Sequence, residues 1–306
     1  MGGRISVESV VRCSWNGWPD DRGIRMIASY WTIAGDTYPG AQSEISPYTL
    51  QERAEAASKA GWRGMGLVYS DIVHSIEKLG LPTVRQIFQD NGMKHLEVEF
   101  LIDWHLACER RSVSDRMCKE LLDIAADVGA TRLKCAAGLF EEGDVDVPLM
   151  RDSFAILCDK AAEYNVNVAI EFLPFSSVNT IDKALAVSEG VRPNGGLMVD
   201  SWHIARGGMG FDEISKIPLE LIKGVEIDDA DLALVGDVFN DSTHHRKCCG
   251  EGQLDLPHFV QAILDTGYRG PWGVELISAE LRKLPLDVVA KRAFDSTMAQ
   301  FVHARF

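Results

Sequence analysis

The 306-residue chain has no run approaching the roughly 18 apolar residues that a membrane-spanning helix needs. Positive charge is scarce. Lys and Arg number 31 against 45 Asp and Glu, for a formal net charge of −14. A nucleic-acid surface needs a basic footprint to neutralise phosphates, and so does an anionic membrane surface. Nucleic acid and membrane are therefore excluded as expected partners. The opening stretch MGGRISVESVVRCSWNG has no apolar signal-peptide core. A glycine-rich phosphate turn is also missing: YWTIAGDTYPG, after the first expected strand, is not a GxGxxG, which argues against a doubly wound dinucleotide fold. The seven cysteines are odd in number and scattered, and Cys248-Cys249 is not a CxxC. Free core thiols in a reducing compartment fit best. The expectation is a soluble, acidic, cytoplasmic protein.

What is present is alternation. The apolar run at 24–35 reads as a strand and its following loop, and those at 63–72, 94–105, 131–138, 166–172, 196–200, 221–231 and 270–278 read as strands. Helical patterns separate them. Ser46-Pro47 is expected to open the first helix with proline at its first position. Thr83 to Asn91 lies in the second, stopped by Gly92. Leu149, Phe154, Leu157, Cys158 and Ala161 keep helical spacing in the fourth. Asp255 is the expected N-cap of the helix over 255–268. The segment 232–254 reads as a polar loop. Eight strands alternating with eight helices predict a single (β/α)8 TIM barrel over 24–306, preceded by an arm or lid over 1–23.

The stretch from Val166 to His203 carries the chemistry. Both of its strands are apolar, as strands of a buried parallel sheet are, and each ends in a carboxylate, Glu171 and Asp200. A carboxylate there is costly unless it is paired, hydrogen-bonded or bound to metal. Strand seven adds Glu226 and strand eight Glu275, with Gly273 on the same face leaving room beside it. Active sites of such barrels lie at the C-terminal ends of the strands. Four acids on four neighbouring strands repel unless a cation holds them. Hard oxygen donors favour Mg²⁺ or Mn²⁺, and one imidazole also admits Zn²⁺, Co²⁺ or Fe²⁺. His203, three residues past Asp200, is a site base or ligand, or else a surface histidine. Lys134, at the end of strand four, is a candidate electrophile or proton carrier. Trp31, Trp104 and Trp202 lie at strand ends, where they stack on substrate or serve packing. Asp228-Asp229 reads as a solvated turn.

The order EFLP, VDSWH, VEIDD and HHRKCCGEGQLDLPHFVQAILDTGYRGPWGVELIS resembles the xylose-isomerase-like TIM-barrel superfamily. This group includes sugar isomerases and epimerases, inosose isomerases and dehydratases, dehydroshikimate dehydratases, C-glycoside deglycosidase catalytic subunits and endonuclease IV. The resemblance implies one divalent metal, Mn²⁺ first, with Mg²⁺, Co²⁺ or Zn²⁺ as substitutes. The family holds it with a Glu after strand five, an Asp after strand six, a His or Gln after strand seven and a Glu after strand eight. Glu171, Asp200 and Glu275 match three of these positions. Glu226 stands at the fourth in place of His, so that ligand is Glu226 itself, or else His244 or His245 from the following loop. By the same resemblance His203 faces substrate, and Arg246 contacts substrate oxygens with His245 beside it. The implied activity is metal-assisted proton abstraction next to a carbonyl in a sugar, cyclitol or keto-sugar, giving isomerisation or epimerisation. Glu171 and Glu275 can serve as proton carriers on opposite faces. The alternatives are β-elimination of a 3-keto-glycoside or dehydration, and a non-catalytic carbohydrate-binding barrel. Leu173 stands where dehydroshikimate dehydratases carry a histidine. The implied partners are a carbohydrate or keto-glycoside and a further copy of the chain or a small partner subunit.

Overall fold

Short, wholly apolar or inward-acidic segments pair in parallel here because their helices cover the outer face. A computed structural model describes residues 23–141 and 145–306. Apart from Gly23, the arm expected over 1–23 lies outside the described residues. The strands are β1 Met26–Ala28, β2 Gly64–Val68, β3 His95–Leu101, β4 Arg132–Cys135, β5 Asn167–Glu171, β6 Gly195–Asp200, β7 Ile222–Glu226 and β8 Trp272–Val274. Each pairs in parallel with the next, and β1 pairs with β8, so the sheet closes into a (β/α)8 barrel. Thr32 helps clamp that closure: its Oγ1 donates to Val274 O at 2.6 Å and accepts from Leu276 N at 2.8 Å.

Ten α-helices occur among the described residues. They are α1 Leu50–Ala60, α2 Tyr69–Leu79, α3 Leu81–Asp90, α4 Glu109–Val128, α5 Val147–Ala162, α6 Ile181–Ser188, α7 Ser201–Arg206, α8 Val238–His244, α9 Leu256–Asp265 and α10 Leu286–Ala299. Several boundaries correct the sequence reading. Pro47 does not open α1. Thr49 caps it in a reciprocal box: Glu52 N donates to Thr49 Oγ1 at 3.2 Å, and Thr49 N donates to Glu52 Oε2 at 2.8 Å. The second strand stops at Val68, and Tyr69 to Ile72 begins α2, because Ile72, Ser75 and Ile76 keep helical spacing against the barrel. The polar loop after β7 contains α8. Asp255 does cap α9, accepting from His258 N at 3.2 Å.

The apolar core lies mainly between the strands and the helix ring. Inside the barrel the usual layers of branched apolar residues give way to charge. Arg132 donates to Glu97 at 2.6 Å near the lower end, and Lys134, one inward position higher on β4, meets the glutamates of the upper end. Six described cysteines are free, and five of them are buried. No helix among the described residues is long and apolar enough to cross a membrane.

Candidate active site

Strand parity aims the charged residues. Glu97 and Glu99 on β3, Arg132 and Lys134 on β4, and Glu171, Glu226 and Glu275 at the ends of β5, β7 and β8 all point inward and are almost fully buried. Gly273 makes this possible on β8. A Cβ there would stand 2.7 Å from Glu226 Cγ, so only glycine lets Glu226 cross in front of the strand. Gly66 does the same on β2, where a Cβ would lie 2.6 Å from Tyr30 N and 3.0 Å from Glu99 Oε1.

Lys134 Nζ is the hub. It lies 2.7 Å from Glu99, 3.3 Å from Glu171, 3.0 Å from Glu226 and 3.1 Å from Glu275. An ammonium has three hydrogens, too few for four carboxylates. The shortage is visible: Glu99 Oε1 and Glu171 Oε1 are buried without a hydrogen-bond partner. Glu226 is the best held, by both oxygens on Lys134 and by the hydroxyl of Ser29. Burial would depress the Lys134 ammonium, but Glu226, Glu275, Glu99 and Glu171 together raise it well above its ordinary range. Burial pushes Glu99 up to about 8, with Glu275 and Glu97 adding to the rise and Lys134 only partly opposing it. Glu226 is raised for the same reason. Burial also acts on Glu275, but Lys134, Arg246 and His203 overcome it and hold that carboxyl at about 2.

Arg246 is the second hub. Its NH1 reaches Asp228 at 2.7 Å, Asp200 at 3.3 Å and Glu275 at 3.3 Å. Asp200 ends β6 and caps α7: its Oδ1 accepts from His203 N at 2.9 Å. That cap fixes the first turn of α7 and aims the His203 ring at the cavity. Both ring nitrogens lack hydrogen-bond partners, and Nε2 stands 3.8 Å from Glu171 Oε2.

The structure thus brings Lys134, Glu171, Asp200, His203, Glu226, Arg246 and Glu275 together. Glu171, His203, Arg246 and Glu275 line a cavity of about 510 Å³ together with Glu99 and Trp31, while Lys134, Asp200 and Glu226 are fully buried and outside its lining. The other expected contacts are corrected. Trp104 turns into the helix layer, donating to Ala136 O at 2.9 Å and packing on Phe154. Trp202 lies behind the site, donating to Asp241 at 3.1 Å under the Arg246 guanidinium. His245 is half-buried outside the cavity wall, its backbone bridging to Ser278. Asp228 and Asp229 are not a solvated turn, since both are fully buried. Asp229 accepts from the backbone N–H of Gly250, Gly252 and Leu254, tying the GEG loop to β7.

Glu99 is the site residue that sequence reasoning missed. Its signal was the pattern HLEVEFL, an acid inside a buried strand, which is the same cost argument that singled out Glu171.

Two donor sets suit a cation. Ligand atoms of Asp200, His203 and Glu275 lie within 4.8 Å of one another, and so do those of Glu99, Glu171 and Glu275. Six carboxyl groups share two full cations, Lys134 and Arg246, and Glu99 and Glu171, which line the cavity, each keep a buried oxygen that makes no hydrogen bond. These residues fit a divalent cation of the hard-oxygen class with an imidazole in reach.

A family profile for the xylose isomerase-like TIM barrel matches residues 54–297. The chain belongs to that family. Among its relatives, the 3-dehydroshikimate dehydratase of Pseudomonas aeruginosa is 28% identical over 242 residues, covering 78% of this chain and 37% of that protein. The chain therefore spans little more than a third of the dehydratase's length. An inosose isomerase of Halalkalibacterium halodurans is 30% identical over 227 residues, covering 71% of this chain and 79% of that protein. Among solved structures, the IOLI protein with a bound zinc atom superposes with a TM-score of 0.79 at 20% identity, covering 90% of this chain and 98% of that one. D-allulose 3-epimerase from Methylomonas sp. superposes with a TM-score of 0.68 at 16% identity, covering 90% of this chain and 97% of that one. These two likenesses are of fold.

Proposed function

We propose that the chain is a divalent-metal-dependent enzyme that removes a proton from the carbon next to a carbonyl in a sugar, cyclitol or keto-sugar, and returns it to give an isomer or epimer. The observation that carries this is the floor of the cavity. There, buried carboxylate oxygens and an imidazole that make no hydrogen bond converge beside carboxylates already held by two fixed cations. Names among the relatives agree with this class of chemistry: one is an inosose isomerase and another a 3-dehydroshikimate dehydratase.

Glu171, Asp200 and Glu275 are the residues assigned to hold the metal. Glu226 takes the fourth side, and its grip by Ser29 and Lys134 makes it the least free of the four. Mn²⁺ is the first choice, with Mg²⁺, Co²⁺ and Zn²⁺ suiting the same donors. Bound there, the cation supplies a Lewis acid for a carbonyl oxygen and makes the adjacent C–H more acidic. His203 is the assigned base: it lines the cavity, and its Nε2 makes no hydrogen bond. Glu171 and Glu275, from β5 and the end of β8, are the second pair able to take and return a proton. Lys134 stays charged and keeps four carboxylates in register. Arg246 orients Asp200 and Glu275 and presents its guanidinium to substrate oxygens. The same proton removal becomes an elimination when a leaving group stands β to the carbonyl.

The test couples metal content to proton exchange. About one equivalent of metal per chain is expected, lost in Glu171→Ala and in Glu275→Ala. Incubation with inosose in D₂O should place deuterium beside the carbonyl, and His203→Ala should abolish it while metal is retained. A chain that binds no Mn²⁺, and gains no thermal stability from it, overturns the proposal.

A further inference from the structure

The chemistry above uses the floor of the cavity and leaves its upper part without a role. At about 510 Å³ the cavity falls in the range that buries a drug-sized ligand rather than one six-membered ring. Above Glu171 and His203 the wall turns apolar, with Trp31, Leu173 and Ile277 lining it. At the mouth stand three phenylalanines from three separate segments: Phe140 after β4, Phe175 after β5 and Phe239 in the first turn of α8. The Phe140 and Phe175 rings stack with centroids 5.5 Å apart. Phe239 meets them edge-on at 5.2 Å and 5.4 Å. Phe140 is 63% exposed, an unusual placement for a large aromatic that packs on two others.

A polyhydroxylated ring can lay only a C–H face on such a wall. Each hydroxyl moved against it exchanges water for hydrocarbon without a replacement hydrogen bond. A flat apolar group gains from both burial and ring–ring geometry. We propose that the substrate has two parts, a hydroxylated ring on the acidic floor and an aryl group against Phe140, Phe175 and Phe239, so that the substrate class is an aryl-substituted sugar or cyclitol. The placement of the hydroxylated ring rests on the function proposed above. The aryl subsite rests on the mouth alone.

Calorimetric titrations with phenyl β-D-glucopyranoside and methyl β-D-glucopyranoside test it, on the 306-residue chain with Mn²⁺ present. The phenyl compound should bind about tenfold more tightly or better, from burial and stacking of one ring. Phe140→Ser/Phe239→Ser should bring that ratio to about twofold or less, since the stacking surface is gone, with Mn²⁺ uptake unchanged. Phe140→Ser alone, at an exposed position, should lower the ratio without altering the melting temperature, which covers the case of a double variant that folds poorly. Equal affinity of the two glucosides overturns the aryl subsite. So does a preference that survives the double substitution, or a failure of both compounds to bind. A wild-type protein that takes up no Mn²⁺ counts against the metal assignment instead, and the ratio measured without metal still decides the aryl subsite.

Discussion

Replacing Lys134 by methionine keeps most of the side-chain volume and removes the one charge that Glu99, Glu171, Glu226 and Glu275 share. Removing one partner from a buried ion pair costs about 3–5 kcal/mol, a large part of the roughly 5–15 kcal/mol that holds a protein folded. For a chain of this size that loss corresponds to a fall in melting temperature of about 5–15 °C. The carboxyls can escape part of the penalty by taking up protons, since Glu99 and Glu226 are already pushed upward by burial. The fall should therefore be greater at pH 8 than at pH 6. The assay is thermal unfolding by circular dichroism in EDTA, then with Mn²⁺. Mn²⁺ should raise the melting temperature of Lys134→Met by more than that of the wild type, because a bound cation then replaces the charge that Lys134 supplied. Combining Lys134→Met with Glu226→Gln should cost less than the sum of the two single changes, as residues of one network do. An unchanged melting temperature in EDTA, or strict additivity with Glu226→Gln, refutes the assignment of Lys134 as hub.

The metal-free protein should lose stability as pH rises from about 5 to 8. The Glu99 carboxyl is raised to about 8 in the fold, so the native state holds a proton that the unfolded chain has already released. Melting curves in EDTA across that range check this, and Glu99→Gln should flatten the slope. Gly273→Ala places a methyl 2.7 Å from Glu226 Cγ and 3.2 Å from Ser29 Oγ. It should cost about 1–3 kcal/mol in urea unfolding and lower proton exchange more than it lowers stability, because Glu226 has to leave Lys134.

The parallel barrel was legible because its signal is local and repeats. Apolar runs of strand length alternate with helical spacing from Ile24 to the C-terminus, and that pattern needs no tertiary information. Glu171, Asp200, Glu226 and Glu275 were legible because an acid ending a buried strand is costly wherever the strand lies. The motifs of the last third carried the family. Glu99 obeys the same rule but was passed over, because an acid at every second position looks like the wet face of a half-exposed strand. Only closure of β1 onto β8 makes that face an interior.

Closure also decided which charges meet. Lys134 and Glu275 are 141 positions apart, and Arg246 and Asp200 are 46 apart. No sequence spacing says that one ammonium faces four glutamates while one guanidinium takes the two aspartates. The aromatics show the same limit. Trp31, Trp104 and Trp202 all sit near strand ends, yet only Trp31 faces the cavity. The indole N–H groups of Trp104 and Trp202 find acceptors in the surrounding layers, at Ala136 O and Asp241. The three phenylalanines at the mouth come from two loops and the first turn of the short helix α8, with no shared periodicity to read. The sequence by itself determined the fold and the acids at its strand ends, because local patterning and the cost of burying charge act within a few residues. The tertiary structure decided the pairing of those charges and the shape above them, because both depend on distances across a closed barrel.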